Sequence, residues 1–161
     1  MILVALLSSL PDGANVRVLS SVRGRHGAVH VLLTQQLRLL LSNKTVVGAE
    51  FAQPHARDQA AFSGMALMQT AAFLTPKPTS VLCLGLGSGT APAFYASRGA
   101  LVDVVEHEPA ITKAATEHFL YSTFGAGRAT TADAVAYIRA GSSSRANSYD
   151  VVLVDLSAGA N

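Results

Sequence analysis

Residues 81–94 read VLCLGLGSGTAPAF. An apolar run stops on three glycines at alternate positions, Gly85, Gly87 and Gly89, and a helix-like stretch follows. Glycine adopts backbone angles that other residues reject, and it leaves space where another group comes close. A tight turn is one reading. The other is a ligand that approaches the backbone so closely that side chains would block it.

The segments on the carboxyl side continue the pattern. TAPAFYASRG (90–99) predicts a helix, LVDVVE (101–106) a strand, and PAITKAATEHFL (109–120) a helix with Pro109 at its first position, where proline costs little. RATTA (128–132) is a weak strand, DAVAYIRAG (133–141) a helix, SSSRANS (142–148) a polar loop and YDVVLVD (149–155) a final apolar strand. This β-α-β-α-β-α-β order with continuous apolar strands predicts an α/β fold, a parallel sheet covered by helices on both faces.

Toward the amino end the period changes. VRVLSSV (16–22) and AVHVLL (28–33) flank the turn RGRHG, and LRLLLSNKTVVG (37–48) adds two runs around Ser42-Asn43-Lys44. These predict a β-hairpin or meander, too small to bury much alone, that packs on something or dimerises. Residues 56–74 predict a helix with Asp58 near its start, stopped by the prolines of TPKPTS. Its methionines are expected in the core. MILVALLSSL (1–10) is shorter than the roughly 20 apolar residues of a membrane span and lacks a basic flank, so a buried strand turning at Pro11-Asp12-Gly13 is expected. The predicted division is 1–54 for the β-hairpin domain and 55–161 for the nucleoside-binding domain.

Composition narrows the class. The chain has 161 residues, 50% hydrophobic and 14% charged, enough for one domain with a core. Residues 1–80 carry seven Lys/Arg against three Asp/Glu, and residues 81–161 five against seven. That asymmetry fits two parts, and the basic residues of the first are expected on a solvated face. Basic clusters interleaved with aromatics are missing, so no nucleic-acid partner is expected. Cys83, the single cysteine, reads as a small buried hydrophobe, and no histidine-cysteine spacing suggests a metal. A cytoplasmic protein with a small-molecule acceptor is expected.

Ligands of such sheets bind at the carboxyl ends of the strands. There the sequence places Gly85, Gly87 and Gly89, then Glu106 with His107 and Glu108 beside it, then Asp133 followed by Ala134, then Asp155. Asp133 also suits a helix N-cap. A dinucleotide fingerprint needs glycine at the sixth position, where Thr90 stands. Glycine at every second residue suits an amino-acid tail instead of a pyrophosphate. Glu106 can accept two bonds from a ribose diol, and Asp133 or the adjoining backbone can read an adenine amino group. Together these describe S-adenosylmethionine or a relative of it.

From about Ser20 onward the sequence resembles the spermidine synthase family within the class I methyltransferase superfamily. GAVHVLLTQQLRLLLSNKTVVGAEF is similar to the family's N-terminal β-hairpin domain, and VLCLGLGSGTAPAF to its glycine loop. VDVVEHEPAITKAA is similar to its ribose-binding strand end, TTADAVAYI to its adenine-side loop, and YDVVLVDLSAGAN to its catalytic strand. The resemblance implies a Rossmann-like methyltransferase fold that binds S-adenosylmethionine or its decarboxylated form. It implies cofactor contact for Gly85, Gly87, Ser88, Gly89, Glu106, His107, Asp133 and Ala134. Asp155 matches the active-site aspartate that helps deprotonate an attacking amine.

Two departures shape the expectation. Ser88 stands where the aminopropyltransferases carry an aspartate, and Ala158-Gly159 stand where they carry a second aspartate and a proline. Methyl transfer is therefore favoured over aminopropyl transfer. The alternatives are a polyamine aminopropyltransferase and a non-catalytic nucleoside-binding or dimerisation module, in which a homodimer is possible. Four of the fold's seven strands are legible, so a fragment or degenerate paralogue with an incomplete sheet is expected, its fourth strand exposed at the edge.

Overall fold

Alternating apolar and polar residues between Arg17 and Phe51 form an antiparallel meander in a computed structural model that describes residues 15–57, 59–75, 77–121, 127–141 and 147–156. Its strands are β1 (Arg17–Arg23), β2 (Ala28–Leu33), β3 (Leu37–Ser42) and β4 (Thr45–Phe51), in that order across the sheet. The turn between β3 and β4 carries Asn43 at a φ of 55°, a left-handed conformation that asparagine tolerates. Its side-chain oxygen accepts a hydrogen bond from the Ala28 N–H at 3.0 Å, tying this turn to the start of β2. The strand expected over 1–10, with its turn at Pro11-Asp12-Gly13, lies outside the described residues, as does Asp58.

The second sheet contains β5 (Ser80–Leu84), β6 (Leu101–Glu106), β7 (Ala129–Thr131) and β8 (Val151–Val154). It is parallel, in the order β7-β6-β5-β8. The chain builds outward from β5 through β6 to β7, then crosses to the other side of β5 for β8. That reversal opens a crevice at the strands' carboxyl ends. Helices α1 (Ser63–Leu74), α2 (Thr90–Ala96), α3 (Pro109–His118) and α4 (Ala134–Gly141) complete the order. No helix among the described residues is long and apolar enough to cross a membrane.

The continuous apolar runs are explained by burial on both faces of the sheet. Val81, Cys83, Val104 and Leu153 face one core, which also receives Val29, Val31 and Leu40 from the meander. A four-stranded meander that buries little alone is thus completed by the parallel sheet and its helices. Leu82, Leu84 and Val105 face a smaller cluster under Ala134. Cys83 is buried, and desolvation pushes its thiol up to about 12.

Two buried glutamates join the sheets. Glu50 on β4 is fully buried and takes the Arg57 guanidinium at 2.9 Å, with Arg38 at 3.6 Å. It also accepts the Leu120 N–H. Arg38 and Arg57 are therefore not part of a solvated basic face, because a buried carboxylate draws them inward. Glu108 is buried as well. It caps α3 by accepting the Ala110 N–H at 3.0 Å, and it anchors the β1–β2 turn by accepting the His26 N–H at 2.8 Å. Burial pushes its carboxyl up, but backbone N–H donors offset this and hold it below its ordinary value.

The Glu50 contacts correct two helix boundaries, and a turn at Gly99 corrects a third. The helix predicted from residue 56 begins at Ser63 instead, because Pro54–Ala56 form a 3₁₀ turn and Arg57 is held against Glu50 and the His118 carbonyl. α3 stops at His118 and not at residue 120, since Glu50 captures the Leu120 N–H. α2 gives way after Ala96 to a turn ending on Gly99 at a φ of 89°.

Candidate functional site at the strand ends

Backbone hydrogen bonds bind three strand ends together. The Gly85 N–H donates to the Val105 carbonyl at 2.8 Å, and the Asp155 N–H donates to the Leu84 carbonyl at 2.9 Å. Gly85, Gly87 and Gly89 have φ values of 93°, 55° and 79°, which favour glycine. The groups that approach them are the protein's own. A Cβ on Gly85 would meet the Asp155 carbonyl oxygen at 2.0 Å, and one on Gly87 the Val47 carbonyl oxygen at 2.5 Å. At Gly89 it would meet the Tyr121 Cβ at 2.3 Å. The close approach read from the sequence is present, but these Cβ positions are closed by protein atoms, not by space left for a ligand.

The loop is seated on the meander. Gly48 in β4 has no side chain where the Ser88 N–H passes, 2.4 Å from an ideal Cβ. Ser88 is 1% exposed, with its Oγ 3.4 Å from the Ala49 carbonyl and 3.0 Å from Thr90 Oγ1. Its hydroxyl thus turns into the protein. Gly48 was not singled out from sequence, although a lone glycine inside a strand signals close backbone approach.

Seven of the nine predicted residues line one cavity of about 670 Å³: Gly85, Gly87, Glu106, His107, Asp133, Ala134 and Asp155. Ser88 and Gly89 do not. Glu106, 6% exposed, is already engaged. Its Oε2 accepts the Leu86 N–H at 3.0 Å, its Oε1 accepts the Glu108 N–H at 2.9 Å, and His107 Nδ1 lies 3.1 Å from the same Oε1. A carboxylate has about four acceptor positions. One, on Oε2, stays open for a ribose hydroxyl while His107 keeps this place, so the expected grip on both hydroxyls requires His107 to move. The His107 ring lies 4.7 Å from that of His26, tilted by 41°, and His26 is carried in by the turn that Glu108 anchors.

Asp133 is both an N-cap and a cavity residue: its Oδ1 accepts the Ala136 N–H at 2.8 Å. Asp155 is exposed at the end of β8, and its carboxylate makes no hydrogen bond among the described residues. Much of the remaining lining is apolar. Val46 and Val47 come from β4, Met65 and Met68 from α1, with Phe62 before α1 and Leu156 after β8. The methionines expected in the core line this cavity, and Met68 also packs on the core.

No family profile matches the chain. A spermidine synthase in complex with the transition state analogue AdoDATO superposes with a TM-score of 0.68 and 16% identity, over 88% of this chain and 47% of that one. This is the spermidine synthase fold. Human methyltransferase-like protein 13 in complex with SAH shares the architecture with a TM-score of 0.51 and 25% identity, over 59% of this chain and 47% of that one. In sequence, the polyamine aminopropyltransferase of Vibrio vulnificus is 35% identical over 83 residues, 50% of this chain and 27% of its own length. Human eEF1A lysine and N-terminal methyltransferase is 30% identical over 102 residues, 61% of this chain and 15% of its own length. The chain thus spans about half of these solved relatives and a smaller share of the curated ones. Within the spermidine synthase fold, the cavity lies where β5, β6, β7 and β8 end.

Proposed function

We propose that this cavity binds an S-adenosyl nucleoside and that the chain serves a transferase, with methyl transfer favoured over aminopropyl transfer. The carrying observation is that buried Glu106, the glycine loop, Asp133 and Asp155 line one cavity at the ends of four parallel strands. Its volume of about 670 Å³ suits a ligand of this size. The open acceptor position on Glu106 fits a ribose hydroxyl, the start of α4 at Asp133 and Ala134 fits the base, and Gly85 and Gly87 fit the amino-acid tail. Structural neighbours solved with AdoDATO and SAH support this ligand class.

When bound, S-adenosylmethionine supplies a carbon activated by sulfonium, whose leaving group is a neutral thioether. The chain's part is to orient and to move a proton. Glu106 fixes the sugar, the apolar lining packs on the bound ligand, and Asp155 takes the proton that an attacking amine gives up. Ser88, a neutral residue turned toward Ala49, supplies no carboxylate to the loop, and this favours the methyl donor over aminopropyl transfer.

Titration calorimetry with S-adenosylmethionine, its decarboxylated form and NAD tests the reading. Binding of the two S-adenosyl ligands and not NAD is expected. Binding of NAD alone would overturn it. Mass analysis of acceptors incubated with each donor then distinguishes methyl from aminopropyl products.

A further inference from the structure

We infer that the acceptor half of the cavity takes a primary amine with a single positive charge on an apolar stem, in preference to a diamine. This rests on the nucleoside reading above, which assigns Glu106 and Asp133 to the other half.

Glu106, Asp133 and Asp155 are the carboxylates lining the cavity among the described residues. Glu106 is buried and held by Leu86, Glu108 and His107, and Asp133 is engaged with the start of α4. Asp155 alone has a carboxylate without a hydrogen-bond partner among the described residues. One carboxylate matches one ammonium.

The walls set the rest of the ligand. Val46 and Phe62 are each 42% exposed and Leu156 is 50% exposed, and Met65 lines the same cavity. This apolar surface is left in contact with water, and a hydrocarbon stem would cover it. Methionine adapts to stems of different shape. A second ammonium placed against Phe62 and Met65 would lose hydration with no counter-charge among the described residues, which is unfavourable. Charge and wall therefore both select an amphipathic monoamine. Such an amine can be a free small molecule or a lysine side chain, which presents the same chemistry.

The test uses the whole chain, with and without saturating SAH, titrated with butylamine, hexylamine, diaminobutane, diaminohexane, hexanol and an acetylated lysine amide. Affinity is expected to rise about fourfold per methylene from butylamine to hexylamine, the factor for burying one such group. Hexylamine should bind more tightly than diaminohexane and than hexanol. Asp155→Asn should erase the preference for hexylamine over hexanol, and Phe62→Ala should flatten the dependence on length. Binding of the lysine amide as well as the alkylamines assigns a peptide-borne acceptor within the same chemistry. Diamines binding as tightly as monoamines, a flat length series, or no amine binding to a chain that binds SAH would overturn the inference. Failure of SAH with the amine series intact would overturn the nucleoside reading alone.

Discussion

At the scale of single residues, the carboxylate of Glu106 both holds its own loop and faces the cavity. Two buried backbone donors, at Leu86 and Glu108, depend on it. Glu106→Ala leaves both unpaired, at about 1–3 kcal/mol each, so thermal melts should show a marked loss of stability as well as weak binding. Glu106→Gln keeps one oxygen, enough for one of these two donors, so it should cost less stability than Glu106→Ala. Gly87 carries a comparable double load. Its φ of 55° and the Val47 carbonyl 2.5 Å from an added Cβ make it a structural position as well as a cavity residue. Gly87→Ala should cost at least about 1–2 kcal/mol of stability from the left-handed backbone alone, read by denaturant unfolding without ligand. Unchanged stability with selective loss of nucleoside binding would show that the glycine serves the ligand only.

At the scale of elements, two long-range carboxylates decide how pieces join. Glu50 links β4, the turn before α1 and the end of α3. Glu50→Gln should destabilise the chain by about 3 kcal/mol, the lower end for breaking a buried pair, since Arg57 stays about a quarter exposed. Urea unfolding measures this. Asp150 joins the starts of β5 and β8, accepting from the Thr79 and Ser80 N–H groups at 2.8 and 3.0 Å and from both hydroxyls. The Thr79 N–H first, then these other donors, hold its carboxyl below its ordinary value. A lowered folded-state value means the contribution is present above the ordinary aspartate range and is lost as pH falls through the folded value. Melting temperatures followed from pH 5 downward should fall less steeply in Asp150→Asn than in the parent chain. Parallel curves would remove Asp150 from the acid transition.

These elements also show what was legible in the sequence. Continuous apolar runs such as Val81–Leu84 and the alternation of 28–33 are local signals, and both sheets follow from them. Gly85, Gly87, Glu106, His107, Asp133, Ala134 and Asp155 reach one cavity because parallel topology alone brings strand ends together. The start of α1 was not legible, because Arg57 is taken by a carboxylate that the fold brings there. The inward turn of Ser88 depends on Ala49, 39 residues away in the chain.

At the scale of the whole molecule, the parallel sheet is covered unevenly. Val151 and Leu153 of β8 are buried, whereas Val152 and Val154 are 51% and 63% exposed on the face that α4 covers only in part. An apolar edge strand is prone to pair with further chains. Val152→Lys should lower concentration-dependent light scattering, and unaltered scattering would show that the edge plays no part. At the other end of the sheet, strand ends and meander line the proposed nucleoside site. Calorimetric titration of S-adenosylmethionine into the parent chain and into Glu106→Gln tests it most directly. The account predicts one site per chain, weakened by about 1 kcal/mol in the variant because a hydrogen bond to a charged acceptor is replaced by a neutral one. Equal affinity in a folded Glu106→Gln variant, or no binding to the parent chain, would contradict it.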